Sequence, residues 1–92
     1  NIPFSEIFYI EGWREYVKIH CKEKTIISLL SLSYLEKELP ADCFLRIHKS
    51  YIVSVNQIKS FNTDEIVLSP SVNLPIARSK KDLVISQLKK SV

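Results

Sequence analysis

Ninety-two residues allow one small domain, and 46% hydrophobic with 25% charged residues suits a packed core in water rather than a disordered chain. No apolar run approaches the roughly 18 residues needed to cross a bilayer, and the opening residues do not read as a secretory leader. Cys21 and Cys43 form no C-x-x-C pair, which argues against a disulfide scaffold and fits a reducing cytosol.

The net charge of +3 is unevenly spread. Residues 1–46 carry six Lys/Arg against seven Asp/Glu, and residues 47–92 carry seven against three. That asymmetry points to an anionic partner for the second half, although a solvated basic face accounts for the same charges.

In chain order, Ile2, Phe4, Ile7, Phe8 and Tyr9 form an apolar opening that enters a strand around 7–10. The abrupt start, with no initiator Met, reads as a piece of a longer protein. The stretch 11–15, holding Gly12, the only glycine, is expected to be the first turn, with Gly12 supplying a backbone angle other residues resist. From Tyr16 to Lys24 the chain alternates, with Val17, Ile19 and Cys21 one way and Lys18, His20 and Lys22 the other. A polar turn at Glu23-Lys24 and a returning strand over 25–30 complete a hairpin with one wet and one dry face.

Ser33-Tyr34-Leu35-Glu36 fits an S-x-x-E capping box, predicting a short helix over about 34–39 that Pro40 stops. Leu32, Leu35 and Leu39 give that helix one apolar side, which must pack on a sheet because so short a helix is not stable alone. Residues 44–55 follow, with Leu45 and Ile47 on one parity, Arg46 and His48 on the other, and a break at Lys49-Ser50 before Tyr51, Val53 and Val55 resume. The period of two marks strands, and the break presents a cationic tip between them.

Strands are expected over 58–61, 65–68 and 72–77, with turns at Asn62-Thr63-Asp64 and Ser69-Pro70-Ser71. Ser79 is a candidate cap for a final helix over 80–89 with Leu83, Val84, Gln87 and Leu88 on one side. There are no internal repeats, low-complexity tracts or linkers.

An enzyme reading finds no support in these residues. His20 and His48 have no Asp or Cys in a catalytic spacing, Cys21 falls on the apolar parity of its strand, and the two Cys and two His match no zinc-ligand spacing. A single glycine excludes a Gly-rich phosphate loop. No metal or cofactor is implied.

A nucleic-acid reading needs basic and hydrogen-bonding residues at turns on a rigid support. Three tips qualify. The first is Trp13-Arg14-Glu15-Tyr16, the second His48-Lys49-Ser50, and the third Arg78-Ser79-Lys80-Lys81, where a strand hands over to a helix. Arg78 offers a planar fork able to bond a guanine edge, while Ser79, Lys80 and the free N–H groups of a helix start suit phosphates. A solvated helix start, a surface lysine at a strand bend and a satisfied strand histidine are the plainer readings of the third tip, Lys49 and His48. Trp13 reads either as a core plug or as a surface group. A single-strand binder would need an aromatic platform, and Trp13, Tyr16 and Tyr51 are too scattered to form one.

The string Phe44-Leu45-Arg46-Ile47-His48-Lys49-Ser50-Tyr51-Ile52-Val53, preceded by Leu35-Glu36-Lys37-Glu38-Leu39-Pro40, resembles the hallmark of the LytTR DNA-binding domain of bacterial response regulators. Further matches are Tyr9-Ile10-Glu11-Gly12, Tyr16-Val17-Lys18-Ile19 and Leu74-Pro75-Ile76-Ala77-Arg78, so the likeness runs in order over nearly the whole chain. The resemblance implies a mostly β fold, an elongated stack of small antiparallel β-sheets with one short helix, to which the residues add a candidate C-terminal helix. It also implies loops that enter successive major grooves of duplex DNA. The family's base-contacting places fall on Tyr16 (with Glu15), Lys49 and Arg78. Arg78 matches; Tyr16 departs from the histidine of some relatives and Lys49 from an Asn or Arg, so a target sequence does not carry over.

The expectation is therefore a cytoplasmic, non-enzymatic output domain that binds double-stranded DNA in a sequence-specific way. Arg78 and Lys49 are the expected base readers; Arg14, Ser50, Ser79, Lys80 and Lys81 the phosphate contacts; Tyr16, Glu15 and His48 lie beside them. The family also implies a preceding receiver domain or other input module, usually one more strand before this point, an upstream histidine kinase, and paired DNA repeats holding two copies of a domain that is monomeric alone. The competing class is a β-rich protein-interaction module whose basic half faces an acidic partner.

Overall fold

The computed structural model describes residues 2–68 and 72–91. A five-stranded antiparallel sheet has the spatial order β3-β2-β1-β5-β4, built from β1 (Ile7–Trp13), β2 (Tyr16–Cys21), β3 (Thr25–Ser28), β4 (Phe44–His48) and β5 (Tyr51–Ser54). A second, three-stranded sheet runs β6 (Ile58–Phe61), β7 (Glu65–Leu68), β8 (Val72–Pro75). Two helices complete the chain, α1 (Leu32–Glu38) and α2 (Lys81–Ser91). The whole measures 31 × 25 × 21 Å. The mostly β class read from the sequence is the observed one.

The large sheet is covered on both faces. On one, Ile10, Val17, Ile19, Phe44 and Ile52 pack with Leu32 and Leu35 of α1. On the other, Ile47 and Val53 pack with Ile66, Leu68 and Leu74 of the small sheet, Ile76, and Val84 and Leu88 of α2. β5 lies between the two cores, with Ile52 1% and Val53 0% exposed. That explains its continuous apolar reading, because a strand covered on both faces has no need to alternate. Each such side chain contributes about 1.5–3 kcal/mol relative to exposure.

Three local expectations are corrected. The first turn is shorter than 11–15: β1 continues through Gly12 to Trp13, and Trp13 pairs directly with Tyr16. Gly12 keeps an ordinary backbone angle, and the positive φ belongs to Arg14, at 56°. A two-residue hairpin loop demands that angle at its first central position whatever residue stands there. Gly12 instead lies inside the strand, where a Cβ would make ordinary contacts with Leu32 Cδ2 at 3.7 Å and with Ser50 at 3.9 Å.

The first helix starts earlier than the S-x-x-E pattern implies. Ser31, not Ser33, is the N-cap, its side chain accepting from the Tyr34 N–H at 3.0 Å. Starting there brings Leu32 into the first turn, where it is buried beside Leu35, so burial of the apolar side outweighs the capping-box pattern. Glu36 is thereby released for another partner.

The third correction concerns the C-terminus. A 3-10 turn at Arg78–Lys80 precedes α2, so Ser79 lies within that turn rather than next to the helix. Val84 and Leu88 are buried, whereas Leu83 is 57% exposed and Gln87 also faces outward, which narrows the apolar side. The returning strand ends at Pro75 rather than residue 77. The expected turn at residues 69–71 lies outside the described residues. At the other end of the small sheet, Asn62 Oδ1 accepts from the N–H groups of Asp64 (2.7 Å) and Glu65 (3.0 Å), closing the expected 62–64 turn.

The cap assignment is directly testable by urea unfolding. Ser31→Ala is expected to cost about 1 kcal/mol, while Ser33→Ala is expected to change stability by less than ~0.5 kcal/mol.

Candidate nucleic-acid interface

Two backbone hydrogen bonds tie the other two tips to the β4–β5 hairpin that carries the second. The Gly12 N–H donates to the Ser50 carbonyl at 2.8 Å, joining the β1–β2 turn to the β4–β5 turn. The Ala77 N–H donates to the Ile47 carbonyl at 2.8 Å, so Arg78 leaves the body beside the same β4–β5 turn. The first two tips border one shared groove of about 320 Å³, lined by Arg14, Tyr16, Ser33, Arg46, Lys49 and Ser50.

Arg14 is exposed at the apex of the β1–β2 turn, in the left-handed region, which costs a non-glycine residue ~1–2 kcal/mol. Glu15 is exposed beside it, and Tyr16 is half-buried at the groove. Trp13 is 46% exposed with Lys18 Nζ 4.7 Å above its ring, which settles it as a surface group rather than a core plug.

In the second tip His48 is half-buried, its Nδ1 accepting from the Ser50 N–H at 3.1 Å, with its ring centroid 5.5 Å from that of Tyr51. Nδ1 is thus engaged within the turn. Lys49 is exposed and Ser50 half-buried. In the third tip Arg78 and Ser79 are exposed and Lys80 is half-buried. Lys81 Nζ pairs with Asp64 at 2.7 Å, tying α2 to the β6–β7 turn. An ion pair that open to water is worth under ~1 kcal/mol, so it leaves Lys81 able to exchange partners.

Arg14, Lys49, Arg78 and Lys80 have no carboxylate partner among the described residues. Cations without carboxylate partners, carried on turns tied to one hairpin, favour an anionic partner there.

Arg46 is the residue that sequence reasoning passed over. It counts in the sequence only as a polar member of an alternating strand, yet its guanidinium binds the carbonyls of the second tip and Glu36 of α1. The available signal was its place two residues before the tip; its partner ten residues upstream gave none.

Elsewhere the groups considered for catalysis have plain roles. His20 stacks on Tyr9 at 4.2 Å and bonds Glu11 at 3.1 Å. Cys21 packs against the α1-side core, and burial raises its thiol pKa, with Lys24 pulling the other way. Cys43 is raised as well, by desolvation and by Asp42. Both are free thiols, and a raised pKa leaves little thiolate. Among the described residues no group of three or more His, Cys, Asp or Glu is arranged to hold a metal ion, and no helix is long and apolar enough to cross a membrane.

Comparison with known proteins identifies the family. A sequence profile of the LytTr DNA-binding domain matches residues 1–89. The chain belongs to that family. Its backbone superimposes on a solved LytTr DNA-binding domain from Bacillus cereus with a TM-score of 0.87 at 28% identity, covering 95% of this chain and 84% of that one. Among curated proteins it is similar to the CO-responsive transcriptional regulator RcoM of Rhodospirillum rubrum (34% identity, 70% of this chain, 27% of RcoM). It is also similar to the transcriptional regulatory protein YpdB of Escherichia coli (24%, 85% of this chain, 34% of YpdB) and the sensory transduction protein LytT of Bacillus cereus (26%, 85% and 34%). The chain spans about a third of the length of these relatives, or less.

Arg14 gives a test in which stability and binding move apart. Arg14→Asn places a residue that tolerates positive φ at the turn and is expected to raise stability by up to ~1 kcal/mol in thermal unfolding. The same variant is expected to bind duplex DNA more weakly in an anisotropy titration, because the cation is gone.

Proposed function

We propose that this domain is the output half of a bacterial transcriptional regulator of the response-regulator type, reading double-stranded DNA with the three tips. Arg78 and Lys49 make the base contacts, with Tyr16 beside them and Glu15 and His48 at the edges of the same surface. Arg14, Ser50, Ser79, Lys80 and Lys81 hold phosphates. The observation that supports this reading is that Arg14, Lys49, Arg78 and Lys80, all without carboxylate partners among the described residues, stand on turns that are part of the β4–β5 hairpin or follow segments hydrogen-bonded to it.

The division of labour follows from chemistry. The forked guanidinium of Arg78 can bond two acceptors on one guanine edge, whereas Lys80 supplies a mobile point charge suited to phosphate. Phosphate contacts fix register and affinity, and base contacts select sequence. In this reading the domain performs no catalytic step, works in the cytoplasm, and takes no cofactor. It sits behind a receiver domain phosphorylated by an upstream histidine kinase, is monomeric alone, and occupies paired repeats as two copies.

The test is a titration with a duplex selected from a random pool, a random duplex and a single strand, at low and high salt. Arg78→Ala is expected to cost ~1–3 kcal/mol on the selected duplex and to relax discrimination at one base position. An unchanged ratio between selected and random duplex would remove Arg78 as a reader. Lys80→Ala is expected to weaken both duplexes alike and to lower the slope of log affinity against log salt by about one. Absence of duplex binding at low salt would instead favour a protein-interaction module.

A further inference from the structure

The second tip is held from behind. Arg46 Nε donates to the His48 carbonyl at 2.9 Å, Nη2 to the Lys49 carbonyl at 2.7 Å, and Nη1 to Glu36 Oε1 on α1 at 2.8 Å. A guanidinium has five N–H donors, and a planar fork is the group best shaped to span two successive carbonyls while reaching a third acceptor. The far side of the turn is fixed too, by the Ser50 N–H on His48 Nδ1 and the Ser50 carbonyl on the Gly12 N–H. From this fixed backbone the Lys49 side chain alone emerges exposed.

We infer that Arg46 is a positioning residue for sequence readout, holding the turn so that Lys49 meets the DNA groove already oriented, with Glu36 fixing the guanidinium. This rests on the DNA reading of the tips. Ordering a flexible tip during binding costs affinity, and a tip ordered beforehand avoids that cost. The benefit falls on specific binding, which needs fixed geometry. Non-specific binding to phosphates needs mainly charge.

Direct phosphate binding by Arg46 fits the geometry less well. Its side chain is 14% exposed and already paired with a carboxylate, unlike Arg14 or Lys49. With α1 packed on the sheet through Leu32 and Leu35, its Glu36 reaches the Arg46 guanidinium from behind the tip.

The experiment uses the full chain with Arg46→Lys, which keeps the charge but loses the fork, and Glu36→Gln, which keeps an acceptor oxygen but loses the charge. Affinity for selected and random duplex, the salt slope, amide hydrogen exchange of the DNA-free protein and thermal unfolding are measured together. Arg46→Lys is expected to weaken the selected duplex about five- to tenfold while random duplex stays within about twofold, from the loss of one pre-ordered side chain and its turn. Exchange at Ser50 should quicken and the salt slope should hold. Glu36→Gln should move the ratio and the exchange rate the same way by less, and it carries the test if Arg46→Lys does not fold.

Equal weakening of both duplexes with a shallower slope would overturn the inference by making Arg46 itself a phosphate contact. An unchanged affinity ratio, or an unchanged exchange rate at Ser50, would overturn it as well. A lowered thermal midpoint without a change in ratio would reduce Arg46 to a structural residue. If the parent chain fails to discriminate any duplex, the DNA reading falls, and the exchange arm still decides whether Arg46 orders the turn.

Discussion

Ile52 and Val53 are sequence neighbours that point into different cores, and the placement of every tip follows from that. β5 pairs with β1 on one side and β4 on the other. Its Ile52 face closes against α1, and its Val53 face closes against the small sheet and α2. A strand fixed on both edges and both faces has no freedom to slide, since a one-residue slip would exchange the two sets of side chains. The turn at its start is therefore delivered to a fixed point.

The two cores also divide the work. The α1 side holds the β1–β2–β3 part of the sheet and supplies Glu36 behind the second tip. The other side docks the small sheet, and the chain leaving β8 bonds β4 through Ala77 before opening into the Arg78 turn. Substitution in either core would thus act on binding indirectly, by moving one tip relative to the others.

Electrostatic arrangement around these turns is selective rather than merely basic. Arg46 and Lys81 have carboxylate partners, Lys18 lies over an aromatic ring, and Arg14, Lys49, Arg78 and Lys80 lack carboxylates among the described residues. The paired cations brace the framework, and the unpaired ones remain available for an anion. Arg14 also occupies a backbone angle that Gly or Asn would fill more easily, set by the two-residue turn it lies in.

Strand positions were legible in the amino-acid pattern because they depend on alternation within a few residues, as 16–21, 44–48 and 65–68 illustrate. The string around His48-Lys49-Ser50 likewise carried the family and the second tip. Gly12 and Ser33 misled because each matched a local rule that burial of Leu32 or the geometry of a two-residue turn overrode. Leu83 misled because helical spacing identifies a stripe but not its width against a particular sheet. Which cations stay unpaired, and that Arg46 reaches back to Glu36, could not be read along the chain at all. Local order is set by short-range sterics and hydrophobic period, whereas these partnerships exist only once residues far apart in sequence are packed into one body.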